Sequence, residues 1–284
     1  MGDQKKAVLI TGCSSGIGRA TALRLNQSGW LVYATARRAA SIEDLARAGC
    51  HTIELEVTDE ASRARAVAQV EAECGSVGAL INNAGYSQSG TIEETPIELI
   101  RRQFETNFFG LAALTQLVLP GMRRAGRGRI VNLGSMGGTL VFPGGGYYHA
   151  TKYALEAFSD ALRFEVGGLG IDVILIQPGL IRTEFSETAV ASVPTQQDDS
   201  PYRALMAKVK QATKEAYTQG LAAKLAGEPD DVARTIERAL AAKRPKARYR
   251  VSASARVFMW QRALLGDGGW DAFLSRHYPR PGKS

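Results

Sequence analysis

Cysteine and histidine are scarce in this chain, with three of each among 284 residues. The cysteines, Cys13, Cys50 and Cys74, are odd in number and far apart, so neither a disulfide framework nor a zinc-binding spacing fits them. The histidines are equally scattered, and no metal site is expected. Unpaired thiols are typical of a reducing compartment, and we therefore expect a cytoplasmic protein.

Long hydrophobic runs are absent as well. No stretch approaches the roughly 18 uninterrupted apolar residues that a transmembrane helix requires. The first residues are mostly polar and lead straight into an apolar stretch at Ala7, so a secretory signal is not expected. With 45% hydrophobic and 22% charged residues, the composition excludes a disordered chain and is typical of a globular protein.

Short β-rich stretches alternate with longer amphipathic stretches over most of the chain. This alternation is typical of βαβ units, and it predicts an α/β, doubly wound Rossmann fold in which a parallel sheet carries helices on both faces. The predicted strands are 7–10, 30–36, 52–57, 79–81, 129–133, 171–176 and 249–251. The predicted helices are 16–28, one that follows a capping Asp59, 96–124, 148–166 and 229–243.

A glycine-rich turn follows the first predicted strand and leads into the first predicted helix. Glycines let the backbone approach a pyrophosphate closely, and the helix N-terminus supplies free N–H groups and the positive end of a dipole. The turn therefore indicates a dinucleotide-binding loop. Strand–helix turns that bind nothing also use glycine, so this motif alone does not decide. The turn reads Thr11-Gly12-Cys13-Ser14-Ser15-Gly16-Ile17-Gly18.

Two arginines, Arg37 and Arg38, follow the second predicted strand. Folds that select NAD place an acidic residue near this point, where it binds the ribose 2′-hydroxyl. Here no acid is present, and an arginine fork suits a 2′-phosphate. The pattern therefore favours NADP(H), the alternative being two arginines that are merely solvated.

A tyrosine and a lysine lie four residues apart in a predicted helix. This spacing, about one turn, places Tyr148 and Lys152 on one face, whereas Tyr147 is rotated away by roughly 140°. Ser135 follows the fifth predicted strand, at the carboxyl edge where open α/β sheets bind ligands. Asn107 lies in the long predicted helix after the fourth strand. Each feature alone has an ordinary alternative, such as a surface helix pair or a turn hydroxyl.

Taken in order along the chain, these segments closely resemble the short-chain dehydrogenase/reductase family over about residues 5–250. Thr35-Ala36-Arg37 resembles its NADP-preferring branch, and 148–166 resembles, more weakly, hydroxysteroid and retinol dehydrogenases. One departure is Glu56-Val57, where the family often has an Asp-Val that helps to hold the adenine. The matching motifs are Thr11-Gly12-x-x-x-Gly16-Ile17-Gly18, Asn82-Asn83-Ala84-Gly85, Asn107, Ser135, Tyr148-x-x-x-Lys152 and Pro178-Gly179.

The resemblance implies a catalytic set of Asn107, Ser135, Tyr148 and Lys152. Tyr148 is expected to be the proton donor, its pKa lowered toward neutrality by the Lys152 ammonium, which also binds the nicotinamide ribose. Ser135 donates to the substrate oxygen, and Asn107 holds a water that links Lys152 to solvent. His149 lies about 100° around the helix from Tyr148, and we expect it to pack or to line the pocket.

The cofactor implied is NADP(H), with Thr183 at the nicotinamide carboxamide. A single domain, 1–284, is predicted to comprise a dinucleotide-binding and catalytic core (5–183), a substrate lid (184–227) and a C-terminal helix, last strand and basic extension (228–284). The implied cofactor-binding residues are Gly12, Ser14, Ser15, Gly16, Ile17, Gly18, Arg37, Arg38, Glu56, Val57, Asn83, Ala84, Gly85, Tyr148, Lys152, Pro178, Gly179, Ile181 and Thr183.

The expected reaction moves a hydride between the nicotinamide and a carbonyl or secondary alcohol, and the expected substrate is lipophilic, like a steroid, a retinoid or a long chain. An apolar wall is predicted for it. The alternatives are a small polar or acyl-carrier substrate, or a dinucleotide-binding sensor without catalysis. The predicted wall consists of Met136, Leu140, Val141, Phe142 and Tyr147.

Charge is concentrated at the C-terminal end. Residues 237–284 hold 11 basic and three acidic side chains, a net +8, so the rest of the +7 chain nets −1. The basic, amphipathic stretch 256–265 predicts either weak peripheral contact with an anionic membrane or a helix packed on the enzyme body. We expect no nucleic acid partner, and the resemblance implies a homodimer or homotetramer paired through 96–124 and 148–166.

Overall fold

One parallel sheet of seven strands organises the described part of the chain. The computed structural model describes residues 7–193 and 199–282. The strands are β1 Ala7–Ile10, β2 Leu31–Ala36, β3 His51–Glu54, β4 Ala79–Asn82, β5 Gly128–Leu133, β6 Ile171–Pro178 and β7 Arg248–Val251. Their order is β3-β2-β1-β4-β5-β6-β7, and every neighbouring pair is parallel. The order reverses between β1 and β4, where doubly wound sheets bind their ligands.

Helices cover both faces of this sheet, which confirms the predicted doubly wound fold. The helices are α1 Gly16–Gln27, α2 Glu43–Arg47, α3 Glu60–Cys74, α4 Ile97–Phe104, α5 Gly110–Ala125, α6 Gly146–Val166, α7 Glu184–Ala191, α8 Arg203–Thr218, α9 Gly220–Lys224, α10 Pro229–Ala241 and α11 Ala253–His277. One core packs α1 and α10 against β1, β2 and β6, and a second packs α3, α5 and α6 on the opposite face. The inner strands are mostly apolar because both faces are covered, and β1 is apolar along its whole length.

The third strand is shorter than predicted. It ends at Glu54 rather than at residue 57, because the Glu56 carboxylate accepts hydrogen bonds from the Thr58 amide and hydroxyl and closes a turn. Asp59 then caps α3, as predicted, by accepting from the Ser62 amide at 2.5 Å. Glu56 is thereby left at the carboxyl edge of the sheet.

The long helix predicted over 96–124 is interrupted. Glu105–Phe109 forms a π-helical turn between α4 and α5. Such a turn accommodates one extra residue and is frequent at functional sites. It buries the Asn107 side chain beneath the end of β4, at 1% exposure.

The C-terminal extension packs on the enzyme body. In α11, Met259 and Trp270 join Met136 and Leu140 in a small third core, and Gly266 breaks the helix with a non-helical backbone (φ 60°). The predicted lid, 184–227, contains α7, α8 and α9, and its residues 194–198 lie outside the described residues. None of the described helices is long and apolar enough to cross a membrane.

Candidate active site

A cavity of about 690 Å³ opens at the carboxyl edge of the sheet, above the β1–β4 reversal. Most of the predicted site residues lie on its wall, whereas Gly18, Arg38 and Asn107 do not. The predicted residues on the wall are Gly12, Ser14, Ser15, Gly16, Ile17, Arg37, Glu56, Val57, Asn83, Ala84, Gly85, Ser135, Tyr148, Lys152, Pro178, Gly179, Ile181 and Thr183.

The glycine turn owes its shape to close backbone approaches. Gly12 and Gly16 have positive φ angles of 72° and 54°, and a Cβ on Gly12 would come within 2.9 Å of the Ala84 Cα. Gly18 faces inward, where a Cβ would collide with the Gly12 carbonyl oxygen. Gly18 therefore shapes the turn from behind the cavity wall.

Thr11 and Asn83 fix this turn to the end of β4. The Thr11 hydroxyl accepts from the backbone amides of Asn83 and Ala84 at 2.9 Å each. The side-chain Nδ2 of Asn83 donates to the backbone carbonyls of Thr11 and Gly12. The sequence predicts a cofactor-binding role for Asn83 and no individual role for Thr11. Both side chains hold the loop that borders the cavity.

The N-terminus of α1 supplies the most direct test of whether a dinucleotide fits. Its N-cap residue, Ser15, makes no side-chain capping bond, and the first turn contains no acidic residue. The first amide groups of a helix have no intrahelical acceptor, and here they border an open cavity. Uncapped amides beside a tight glycine turn form a fitting cradle for a pyrophosphate.

The two arginines after β2 occupy different places. Both are exposed, but only Arg37 lies on the cavity wall. Thr35, just before them, is buried and donates its hydroxyl to the Ile10 carbonyl at 2.9 Å, which ties β2 to β1. Of the two, Arg37 is therefore the one placed to meet a group bound in the cavity.

Three of the four predicted catalytic side chains line the cavity together. Ser135 lies beside Tyr148, close enough for its hydroxyl to act on the pKa of the Tyr148 phenol. Lys152 lies one turn beyond Tyr148 on α6 and donates from Nζ to the Leu133 carbonyl at 2.7 Å. The same Nζ lies 5.8 Å from the centre of the Tyr148 ring. The predicted face of α6 is confirmed, since Tyr147 instead donates to the Ile92 carbonyl at 2.8 Å.

The expected lowering of the Tyr148 pKa does not occur in the protein alone. Burial raises the pKa of Tyr148, and the neighbouring Ser135 hydroxyl opposes that rise. Burial also lowers the pKa of Lys152 to about 8. Since the Lys152 ammonium is bonded to Leu133, it contributes less to stabilising a phenolate than the one-turn spacing suggested.

The fourth predicted catalytic residue, Asn107, is tied to the protein backbone. Its Oδ1 accepts from the Tyr86 amide at 3.0 Å, and its Nδ2 donates to the Tyr86 carbonyl at 2.8 Å. Nδ2 also approaches the Thr151 hydroxyl at 3.2 Å. These bonds link the π-helical turn to α6 and to the loop after β4, so Asn107 fixes the spacing between two walls of the cavity.

Known proteins with similar sequences agree with this arrangement. A sequence profile of the short chain dehydrogenase family matches residues 6–193. The chain is 38% identical over 212 residues to a 3-ketodihydrosphingosine reductase of Bacteroides thetaiotaomicron, which covers 75% of this chain and 77% of the relative. The chain is a short-chain dehydrogenase/reductase.

Solved structures resemble this short-chain dehydrogenase/reductase over most of its length. A short-chain dehydrogenase from Streptomyces avermitilis superposes with a TM-score of 0.81 at 34% identity, covering 97% of both chains. The closed form of a serine dehydrogenase complexed with NADP⁺ superposes with a TM-score of 0.75 at 28% identity, covering 87% of this chain and 94% of the other.

The predicted apolar wall of the substrate end is largely wrong for this short-chain dehydrogenase/reductase. Of the five predicted residues only Met136 lines the cavity. Leu140 is fully buried, Phe142 packs on Phe258 and Trp270, and Tyr147 reaches Ile92. The fifth, Val141, is 40% exposed. Sequence order placed these residues near Ser135, but α11, whose packing the sequence did not reveal, draws the loop away.

Arg102 of α4 lines the cavity close enough to Tyr86 to act on the pKa of that residue. The other side chains at that end are uncharged, and most of them come from the loop after β4 and from segment 184–227, including Tyr217 of α8, which the sequence did not indicate. The prediction treated the lid as a whole and did not resolve which face of α8 turns inward. These residues are Tyr86, Ser87, Gln88, Met136, Leu180, Phe185, Thr188, Ser192 and Tyr217.

The predicted lid, 184–227, is joined to the loop after β4 by hydrogen bonds. Gln88 donates from Nε2 to the Ser192 carbonyl at 3.1 Å, and the Ser192 hydroxyl accepts from the Ser89 amide at 3.0 Å. Arg182, at the base of the lid, is paired with Glu228 at 2.7 Å. Arg182 therefore points away from the substrate end of the cavity.

Proposed function

We propose that this short-chain dehydrogenase/reductase interconverts carbonyl and secondary alcohol groups with NADP(H). The observation that carries the proposal is the neighbouring hydroxyls of Ser135 and Tyr148, with Lys152 one turn away, in the same cavity as the uncapped N-terminus of α1. A sensor that only binds a dinucleotide has no need of that hydroxyl pair.

NADPH, when bound, supplies the hydride that a carbonyl carbon accepts. The glycine turn and the α1 N-terminus are proposed to hold its pyrophosphate, Arg37 its 2′-phosphate, and Thr183 its carboxamide. The chemistry of these groups suits the ligand, since backbone N–H groups and a guanidinium both bind phosphate well.

Proton transfer to the nascent alkoxide is assigned to Tyr148. Burial raises the pKa of Tyr148 and so keeps the hydroxyl protonated, which is the form that a proton donor needs. Ser135 holds the oxygen of Tyr148 in place and stabilises the phenolate left after donation. Lys152, with a pKa lowered to about 8, gains and loses a proton near neutral pH and is proposed to return it. Because the Asn107 side chain is bonded to Tyr86 and Thr151, Asn107 is proposed to hold the cavity walls in place rather than the connecting water.

A lipophilic ketone or secondary alcohol is the proposed substrate. The substrate end of the cavity presents the aromatic and apolar surfaces of Tyr86, Met136, Phe185 and Tyr217, which suit a lipophilic compound. The similarity to a 3-ketodihydrosphingosine reductase supports this substrate class. A small polar substrate is the second candidate, favoured by Arg102 beside Tyr86 and by the hydroxyl and amide groups of Ser87, Gln88, Thr188 and Ser192 on the same wall.

Steady-state kinetics distinguish the two substrate classes. We expect NADPH consumption with a long-chain ketone, a steroid or a retinal to have a kcat/KM at least about tenfold above that with serine or a sugar, because burying an apolar chain contributes several kcal/mol. A serine-sized or anionic compound that exceeds the lipophilic ones by that factor would refute the lipophilic assignment and favour the second candidate.

Three further properties are proposed for the whole chain. Segment 184–227 is proposed to act as the substrate lid. The three cysteines are unpaired thiols, which supports a reducing, cytoplasmic location. A homodimer or homotetramer is proposed. We also propose that α11 makes weak contact with an anionic membrane through its exposed Trp260 and Leu264.

A further inference from the structure

His149, which follows Tyr148 on α6, makes two hydrogen bonds to the loop between β5 and α6. Its Nδ1 lies 3.0 Å from the Gly137 carbonyl oxygen, and its Nε2 lies 3.2 Å from the Phe142 amide nitrogen. The carbonyl requires a proton on Nδ1 and the amide requires a lone pair on Nε2, so both bonds form only with the neutral Nδ1–H tautomer.

The loop is shaped to fit this imidazole. A Cβ on Gly137 would lie 2.6 Å from Nδ1, and one on Gly145 would lie 3.0 Å from Nε2. The imidazole is buried, at 8% exposure. From the other side, the Trp270 indole of α11 donates to the Val141 carbonyl at 3.1 Å. The loop is therefore clamped between α6 and α11.

Gly137 connects the imidazole to the reacting hydroxyls. Its amide donates to the Ser135 Oγ at 3.0 Å, while its carbonyl accepts from His149. Ser135 adjoins Tyr148 on the cavity wall, where its hydroxyl acts to lower the pKa of Tyr148. A line of contacts thus runs from His149 through Gly137 to Ser135 beside Tyr148.

We propose that His149 is a positioning residue that, as a neutral imidazole, orients the Ser135 hydroxyl toward Tyr148 through Gly137. The expected effect on kinetics rests on the proposed function, whereas the hydrogen bonds of His149 do not depend on it. Protonation puts a second N–H against the Phe142 amide and loosens the loop, so catalysis should fail as His149 becomes charged.

The surroundings of His149 hold few other titrating groups. On α6 these are Tyr148, whose ring centre is 5.7 Å away, and Lys152. Loop 136–145 contains no ionisable side chain, the α11 side chains that contact Phe142 are Phe258 and Trp270, and α8 contributes Tyr217 beside Tyr148. Burial lowers the pKa of His149 below its ordinary 6.5, whereas Tyr148 and Lys152 titrate at higher pH, so an acid limb belongs to the imidazole.

Three substitutions separate the two hydrogen bonds. His149→Asn keeps a donor at the Nδ1 position, His149→Gln keeps an acceptor near the Nε2 position, and His149→Leu removes both. We expect kcat to stay within about threefold in His149→Asn and to fall about tenfold or more in His149→Gln and His149→Leu, since small displacements of catalytic groups are costly. The dissociation constant for NADPH should change little. His277→Asn, which alters an exposed histidine bonded only within α11, is the matched control.

The dependence of kcat/KM on pH distinguishes this role from a purely structural one, which would leave the acid limb unchanged. Wild-type kcat/KM should fall with decreasing pH through a single ionisation below 6.5, and this limb should be missing in His149→Asn, which cannot titrate. An unchanged acid limb in His149→Asn, or wild-type kcat in His149→Leu, would overturn the proposal.

A structural measurement separates failure of this proposal from failure of the proposed function. ¹⁵N shifts of the His149 ring should report the Nδ1–H tautomer at neutral pH, and the Phe142 amide should exchange faster as the ring protonates. If no carbonyl substrate is turned over but these signals hold, the reaction assignment is wrong and the clamp stands. An Nε2–H tautomer would refute the clamp whatever the activity.

Discussion

Arg37 is the residue on which cofactor choice should depend. It lies on the cavity wall after β2, whereas Arg38 does not line the cavity. We expect Arg37→Asp to raise the dissociation constant for NADPH about tenfold or more, because a charge-assisted contact is worth about 1.5–3 kcal/mol. Arg38→Asp, the matched control, should have a smaller effect. Calorimetric titration with NADPH and NADH checks both, and tighter binding of NADH by the wild type would contradict the assignment.

Lys152 should leave a pH signature in stability. Burial lowers its pKa from 10.5 to about 8, so between these values the unfolded chain binds more protons than the folded one. The free energy of unfolding should therefore rise with pH across this window relative to Lys152→Met, by on the order of 3 kcal/mol. Urea unfolding of both proteins at pH 7.5 and pH 10.5 measures it, with exposed Lys224→Met as control. A pH-independent difference between wild type and Lys152→Met would show that the amine is solvated.

Single residues differ in how far the sequence could predict them. Tyr148, Lys152 and Ser135 were predictable because helix periodicity and strand ends fix their relative positions. The roles of Thr11 and Gly18 in shaping the glycine turn, and of His149 in holding the following loop, depend on which atoms approach across the fold. Local sequence carries no signal for those approaches.

At the scale of elements, the strands were predicted well because buried parallel strands read as continuous apolar runs. The π-helical turn at Glu105–Phe109 was missed, since one extra residue in a turn leaves the hydrophobic pattern of a long helix almost unchanged. The prediction of the apolar pocket wall was wrong for a different reason. Loop 136–145 packs against α11, and a contact between segments more than 100 residues apart has no local signature.

At the scale of the whole molecule, exposed apolar side chains indicate assembly. Ala157, Ala161 and Phe164 follow one another along an exposed side of α6, and Phe164 is 92% exposed. Phe109 and Leu117 add exposed apolar surface at the start of α5 and along it. A protein of this size rarely leaves such a surface in water unless a partner covers it.

Sedimentation equilibrium tests the assembly. We expect a homodimer or homotetramer at micromolar concentration, and dissociation in Phe164→Glu, which places a charge in that surface. Trp260→Glu on α11 is the matched control, and it should instead weaken sedimentation with anionic vesicles if that face meets a membrane. A monomeric wild type would contradict the proposed assembly, and vesicle binding that is equal for wild type and Trp260→Glu would dismiss the membrane contact.

The central claim is that Tyr148 donates the proton to the substrate oxygen, and single-turnover NADPH oxidation with a saturating carbonyl substrate tests it most directly. Tyr148→Phe removes only the hydroxyl, so we expect the rate to fall by about 10²–10⁴ while the dissociation constant for NADPH stays within about threefold. Tyr147→Phe, whose hydroxyl bonds to the Ile92 carbonyl at the protein surface, should keep the wild-type rate. Retention of most activity by Tyr148→Phe, or its loss in Tyr147→Phe instead, would contradict the account.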